Sequence, residues 1–184
     1  MALTESTMLE LGTTAPDFAL QDVVSGKTFR RDDFRGQKGL LVMFICTHCP
    51  FVKHVEQGLA KLGADYAGKL GIVAISSNDA ESYPDDSPVG LKRQAQTLGF
   101  KFPYLYDELQ NVARAYDAAC TPDLYLFNKD FKLVYRGQLD GSRPANGIPV
   151  TGEDLRAAMD AVLRGEKPAS DQKASIGCNI KWKA

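Results

Sequence analysis

Apolar side chains form two unbroken runs, Gly39-Leu40-Leu41-Val42-Met43-Phe44-Ile45 and Gly71-Ile72-Val73-Ala74-Ile75-Ser76. Such runs, bounded by turn formers, predict strands buried on both faces. Between them the period changes: Phe51, Val55, Leu59, Leu62 and Tyr66 recur at helical spacing over 50–67. Pro50 suits the first helical position, where the N–H it lacks would be unpaired anyway. Upstream, within 12–36, Ala15 to Leu20 and Ser25 to Phe29 read as a hairpin turned at Gly26. Downstream come a polar loop over 77–88, a helix near 88–98, a short strand around 103–106 and a short helix at 109–117. Leu124 to Phe127 and Lys132 to Tyr135 form a second hairpin across Asn128-Lys129-Asp130. A last helix over 152–164 has apolar Leu155, Met159, Val162 and Leu163. The order βαβα(β)αββα predicts an α/β fold, a mixed central sheet with helices on both faces. Beyond the polar linker 165–174, Ile176, Cys178, Ile180 and Trp182 alternate like a strand with one buried face. The chain's only Trp there implies a docked tail.

Composition narrows the picture. The 184 residues, 44% hydrophobic, fit a single domain over 1–184 with 165–184 as its C-terminal tail. A net charge of −1 with both signs interspersed argues against nucleic acid and against an anionic membrane surface. Met1 to Thr7 lacks the basic and apolar regions of a leader, and no stretch is apolar enough to span a bilayer, so a cytoplasmic setting is expected. Four cysteines are too few for a disulfide scaffold, which leaves redox chemistry as their expected use. No Gly-rich phosphate loop is present, and Tyr83-Pro84-Asp85-Asp86 lacks the ligand loop of a calcium site. No cofactor and no metal are expected.

The candidate chemistry is Cys46-Thr47-His48-Cys49-Pro50, at the point where the first apolar strand meets the helix. A helix N-terminus presents unpaired N–H groups and partial positive charge, which favour a thiolate. A second thiol three residues away can displace the first and leave an internal disulfide. If Pro50 opens the helix, Cys49 is its N-cap, so the spacing favours Cys49 as nucleophile and Cys46 as the resolving thiol. The ordinary order for such a motif, with the first cysteine attacking, is the alternative. His48 as imidazolium would stabilise a thiolate, against a bland reading as a loop residue. His54 and Lys53 read as helix-surface residues.

The junction motif, the βαβ…ββα order and Thr121-Pro122 before a late strand together resemble the thioredoxin superfamily. The hairpin extension and Ala15-Pro16-Asp17-Phe18 resemble its peroxiredoxin-like branch, the alkyl hydroperoxide reductase and thiol-specific antioxidant (AhpC/TSA) group. Ser77-Asn78-Asp79, Cys120-Thr121-Pro122-Asp123 and Gly177-Cys178-Asn179-Ile180-Lys181-Trp182 narrow this to a peroxiredoxin-like set. The resemblance implies a thioredoxin-like mixed sheet with an N-terminal hairpin extension and a docked tail. It implies a thiol–disulfide oxidoreductase, with antioxidant activity, cycling Cys46 and Cys49. Its partners would be a protein or small-molecule disulfide or a peroxide, with a thioredoxin-type thiol donor, and it admits a homodimer. It makes Thr121-Pro122 a cis-proline turn that receives substrate, and Cys120 and Cys178 additional redox thiols.

Departures from the branch bear on the reaction. Its peroxide-attacking Cys has a Pro seven residues and a Thr or Ser three residues before it. From Cys49 those positions hold Val42 and Cys46; from Cys46 they hold Gly39 and Met43. Where its Arg would precede the late strand stands Thr121-Pro122, leaving Arg136 and Arg143 as substitutes. Asp140 to Pro144 reads either as the mouth of the site or as an ordinary turn. Cys120 and Cys178 each have a competing structural reading as small buried residues. Two other classes stand beside the enzyme: a redox-sensing or chaperone-like binding protein without turnover, and a zinc protein using all four cysteines, disfavoured because only one close pair exists.

Overall fold

The computed structural model describes residues 2–184. Two strands form its centre. β4 (Gly39–Phe44) and β5 (Gly71–Ser76) are buried at every position and pair in parallel, Leu40 opposite Gly71 through Phe44 opposite Ile75. With both faces covered, no polar alternation is needed, which is why these segments read as continuous apolar runs. The other strands are β2 (Ala19–Asp22), β3 (Thr28–Arg30), β6 (Tyr104–Tyr106), β8 (Asp123–Asn128) and β9 (Leu133–Gly137). The central sheet runs β3-β2-β6-β5-β4-β8-β9, with β4 antiparallel to β8 and the two hairpins at its edges.

Helices cover the sheet. α1 (Pro50–Tyr66) buries Val52, Val55, Leu59, Leu62 and Tyr66 on one face, and α4 (Glu153–Leu163) packs beside it through Leu155, Met159 and Val162. These meet Leu41, Met43, Leu124 and Leu126. α3 (Asn111–Ala115) and the N-terminal hairpin close the opposite face over Leu40, Val42, Phe44, Val73, Ile75 and Tyr125. Each such side chain contributes about 1.5–3 kcal/mol on burial. α2 (Pro88–Leu98) starts at Ser87, whose hydroxyl accepts the Gly90 N–H, and stops at Gly99 with φ +65°. Among the described residues no helix is long and apolar enough to cross a membrane.

Three short strands make a second sheet, ordered β1-β10-β7: β1 (Leu3–Glu5), β10 (Ile176–Asn179) and β7 (Cys120–Thr121). The thioredoxin-like mixed sheet, the hairpin extension and the docked tail are as expected. β1 and β7 are additional, because neither carries an apolar pattern of its own; each exists by pairing with β10. The expected alternation of the tail fails after Ile180. Lys181 is buried with its backbone bonded to Asn78 and Asp79, while Trp182 is 37% exposed and lies against the Arg114 guanidinium.

Candidate functional site

Strand β4 delivers the chain to Ile45, and Cys46 follows at once at the carboxyl end of the sheet. Cys49 has extended backbone (φ −68°, ψ 124°) and is the N-cap of α1, with Pro50 in the first helical position. Both sulfurs are buried. The Thr121–Pro122 bond is cis, and this turn faces the thiols: Cys46 Sγ lies 3.4 Å from Thr121 Oγ1, and Cys49 Sγ lies 3.3 Å from the Thr121 carbonyl oxygen. A third thiol completes the group. Cys178, on β10, places its Sγ 2.7 Å from that of Cys49.

The thiols are electrostatically unlike. Cys49 is lowered to about 4, chiefly by the hydrogen bond from the Cys46 thiol; burial opposes this, while Cys178, Thr121 and the Val52 N–H assist. Val52 assists without closing a side-chain cap hydrogen bond. Cys46 is held well above the usual thiol range by the same bond, by burial and by the Asp86 carboxylate. Cys178 is pushed up to about 12 by burial, then by its bond to Cys49. One proton donor and one acceptor have thus been made from a pair of identical side chains.

Thr47 and His48 are anchored by Asp86, which the sequence did not connect with the thiols. Asp86, fully buried, accepts from Thr47 N (2.8 Å), Thr47 Oγ1 (2.6 Å), His48 Nδ1 (2.5 Å) and Asn78 Nδ2 (2.9 Å). Burial raises its carboxyl, but the bonds from His48, Thr47 and Asn78 outweigh that and leave it lowered. His48 stacks on Tyr83, with ring centroids 5.1 Å apart, and its Nε2 is buried without a partner. Gln94 was also missed: its Nε2 donates to the Cys46 carbonyl oxygen (3.1 Å), and Tyr104 holds its other end. The rigid turn Pro84-Asp85-Asp86-Ser87-Pro88, between two prolines, was the one local signal for Asp86.

Other candidates separate. Cys120 Sγ points to the Pro122 carbonyl oxygen at 3.6 Å, and burial raises its thiol strongly. Arg136 is engaged by the Leu9 carbonyl oxygen and Gln172, and Arg143 by the Asp140 and Ser142 carbonyl oxygens and Gln138. Arg143 also lines the crevice that holds Pro122, Phe51 and His54. Asp140 holds the N–H groups of Ser142, Thr151 and Gly152, the turn-forming role. His54 is no solvated surface residue: its Nε2 lies 2.7 Å from Ser142 Oγ. Among the described residues, the group able to offer metal ligands is Cys46, His48 and Asp86, within 4.8 Å of one another, and not the four cysteines.

A dithiol at a helix N-terminus, facing a cis-proline turn at the end of a mixed sheet, defines a thioredoxin-like protein. The chain belongs to the AhpC/TSA family, whose model matches residues 11–136. A thiol-disulfide oxidoreductase ResA from Geobacillus thermodenitrificans is 30% identical over 130 residues, 71% of this chain and 70% of that one. A conserved protein from Geobacillus kaustophilus has a crystal structure with TM-score 0.97 and 58% identity, covering 100% of this chain and 97% of that one. The exposed lipoprotein thioredoxin of Streptococcus pneumoniae shares the fold, with TM-score 0.60 and 19% identity over 82% of this chain and 99% of that one.

Proposed function

We propose that the chain is a thiol–disulfide oxidoreductase in which Cys49 attacks and Cys46 resolves. The observation that carries this reading is the N-cap sulfur of Cys49, receiving the Cys46 thiol hydrogen and lowered to about 4. A thiolate of that kind attacks one sulfur of a substrate disulfide, forms a mixed disulfide and expels the other sulfur as a thiolate. Cys46 then loses its proton and attacks the Cys49 sulfur, which closes the Cys46–Cys49 disulfide and releases the second substrate thiolate. The substrate gains two electrons, and a thioredoxin-type or other thiol donor restores the dithiol. His48, fixed by Asp86 and offering an unpartnered Nε2, supports a role as positioning group and proton acceptor for Cys46. Thr121 and Pro122 form the wall against which substrate lies. Disulfides suit this site better than peroxides, since the Pro and the Thr or Ser that precede a peroxide-attacking Cys are absent from both registers.

Alkylation by iodoacetamide tests the assignment. Cys49 should react at a constant rate from neutral pH down to about 5 and lose reactivity through its value of about 4. Cys46→Ala, which removes the leading hydrogen bond, should move that midpoint upward. Cys49→Ser should abolish fast thiolate release from an aromatic disulfide, and Cys46→Ser should preserve it. The reverse pattern would show that Cys46 is the nucleophile.

A further inference from the structure

The nucleophile of the proposed reaction has no exposed surface: Cys49 is 0% accessible, and the sulfur that covers it belongs to Cys178, itself 4% accessible. No disulfide outside the chain can reach Cys49 unless this cover moves. The crevice beside Pro122, between Phe51, His54, Ser175 and Ile176, holds only about 20 Å3, room for one water.

The cover is an extended strand. β10 lies antiparallel to β7, Cys178 opposite Thr121 and Asn179 opposite Cys120. Ile180 N donates to the Ala119 carbonyl oxygen, and Ser175 Oγ donates to that of Pro122. The approach is close enough that a Cβ on Gly177 would stand 1.9 Å from the Thr121 carbonyl oxygen. Backbone pairing supplies the hold, the residue before the cysteine must be glycine, and the cysteine lands on the nucleophile. These are the elements by which a strand-adding site recognises a cysteinyl peptide.

We propose that β10 occupies the seat into which this site takes an extended cysteinyl polypeptide, and that Cys178 is a third exchanging thiol of the site. The inference rests on Cys49 being the nucleophile. The exchange is balanced without an outside oxidant once the dithiol is oxidised. The Cys178 thiolate attacks Cys49 in the Cys46–Cys49 disulfide, forming Cys49–Cys178 and releasing Cys46 as a thiolate, which takes the proton lost by Cys178. The reverse attack by Cys46 on Cys49 returns the tail thiol. With Cys46 absent, Cys178 resolves a mixed disulfide on Cys49 in the same way, expelling the substrate thiolate. A protein thiol competes with the tail for one position.

Two variants of the reduced chain, treated with dithiobis-nitrobenzoate, separate the possibilities. Cys46→Ser should release two coloured thiolates per chain and yield a Cys49–Cys178 disulfide on peptide mapping. Cys46→Ser with Cys178→Ser should release one and keep a stable adduct on Cys49. One thiolate from both, with Cys178 still alkylatable, overturns the third thiol and leaves the proposed nucleophile standing. An unreactive Cys49 in the double variant overturns the nucleophile and this inference with it. The seat is tested by Gly177→Ala and by the isosteric Cys178→Ser, which preserves the strand. Gly177→Ala should raise the rate at which reduced Cys49 attacks a thionitrobenzoate mixed disulfide of a peptide carrying Ile-Gly-Cys-Asn-Ile, expelling the coloured thiolate, by at least about tenfold over the parent chain. The same variant should prefer that peptide to one with Val in place of Gly by a similar factor. If Cys178→Ser unfolds at the parent temperature while Gly177→Ala shows an unchanged rate and no peptide preference, β10 does not hold the substrate position.

Discussion

The two sheets of this molecule are built to different standards. In the central one, β4 and β5 are six residues each, wholly buried, and β4 pairs with β8 over all six residues and with β5 over five. In the outer one, strands of three, four and two residues meet over three pairs and two, and Leu3 at its edge is 71% exposed. The first has the depth of apolar contact that ties local opening to global unfolding; the second has little of it and opens at lower free energy. The thiols lie on the seam. Cys46 and Cys49 hang from the firm sheet, Cys178 comes from the frail one, and Thr121 touches both.

Substitutions that load one sheet or the other give the comparison its sharpest tests. Leu41→Ala empties a fully buried position between β4 and the helices and should cost about 2–5 kcal/mol in urea denaturation. Asp86→Asn should cost about 1–3 kcal/mol, because an amide cannot accept all the donors now converging from Thr47, His48 and Asn78. Its pH dependence has a definite sign. The folded carboxyl is lowered below 3.8, so its contribution is complete above the unfolded value and is lost as pH falls below about 4. The parent should therefore weaken on acidification more than Asp86→Asn, and parallel losses would remove Asp86 from the account. Leu3→Ala, in the frail sheet, should stay within about 0.5 kcal/mol. A cost there equal to that of Leu41→Ala would mean that the outer sheet is part of the core.

What was legible in the sequence follows from how far apart the interacting residues are. Pro50 reports on the residue beside it, so the N-cap place of Cys49 could be read, as could the hairpin of Leu124 to Tyr135 from its own turn. Cys178 lies 129 residues from its sulfur neighbour, and nothing in Gly177-Cys178-Asn179 announces which surface it meets. In the sequence Asp86 is only part of Tyr83-Pro84-Asp85-Asp86, a turn unfit for calcium. Its burial depends on Thr47 and His48 arriving from another loop and on Asn78 at the far end of its own. Trp182 misled through its size: a large ring signals docking, but this one is held on the outside by the Arg114 cation. β1 lacks every strand signal, because its partner supplies the reason for its shape.

The order in which the chain is made adds a meaning to the tail. Cys46 and Cys49 belong to its first third, and the cover for Cys49 follows after 129 further residues. At about 5–20 residues per second, a ribosome needs on the order of ten seconds to traverse that interval. During synthesis Cys49 therefore precedes its shield, and each newborn molecule passes through a period in which that sulfur has no cover.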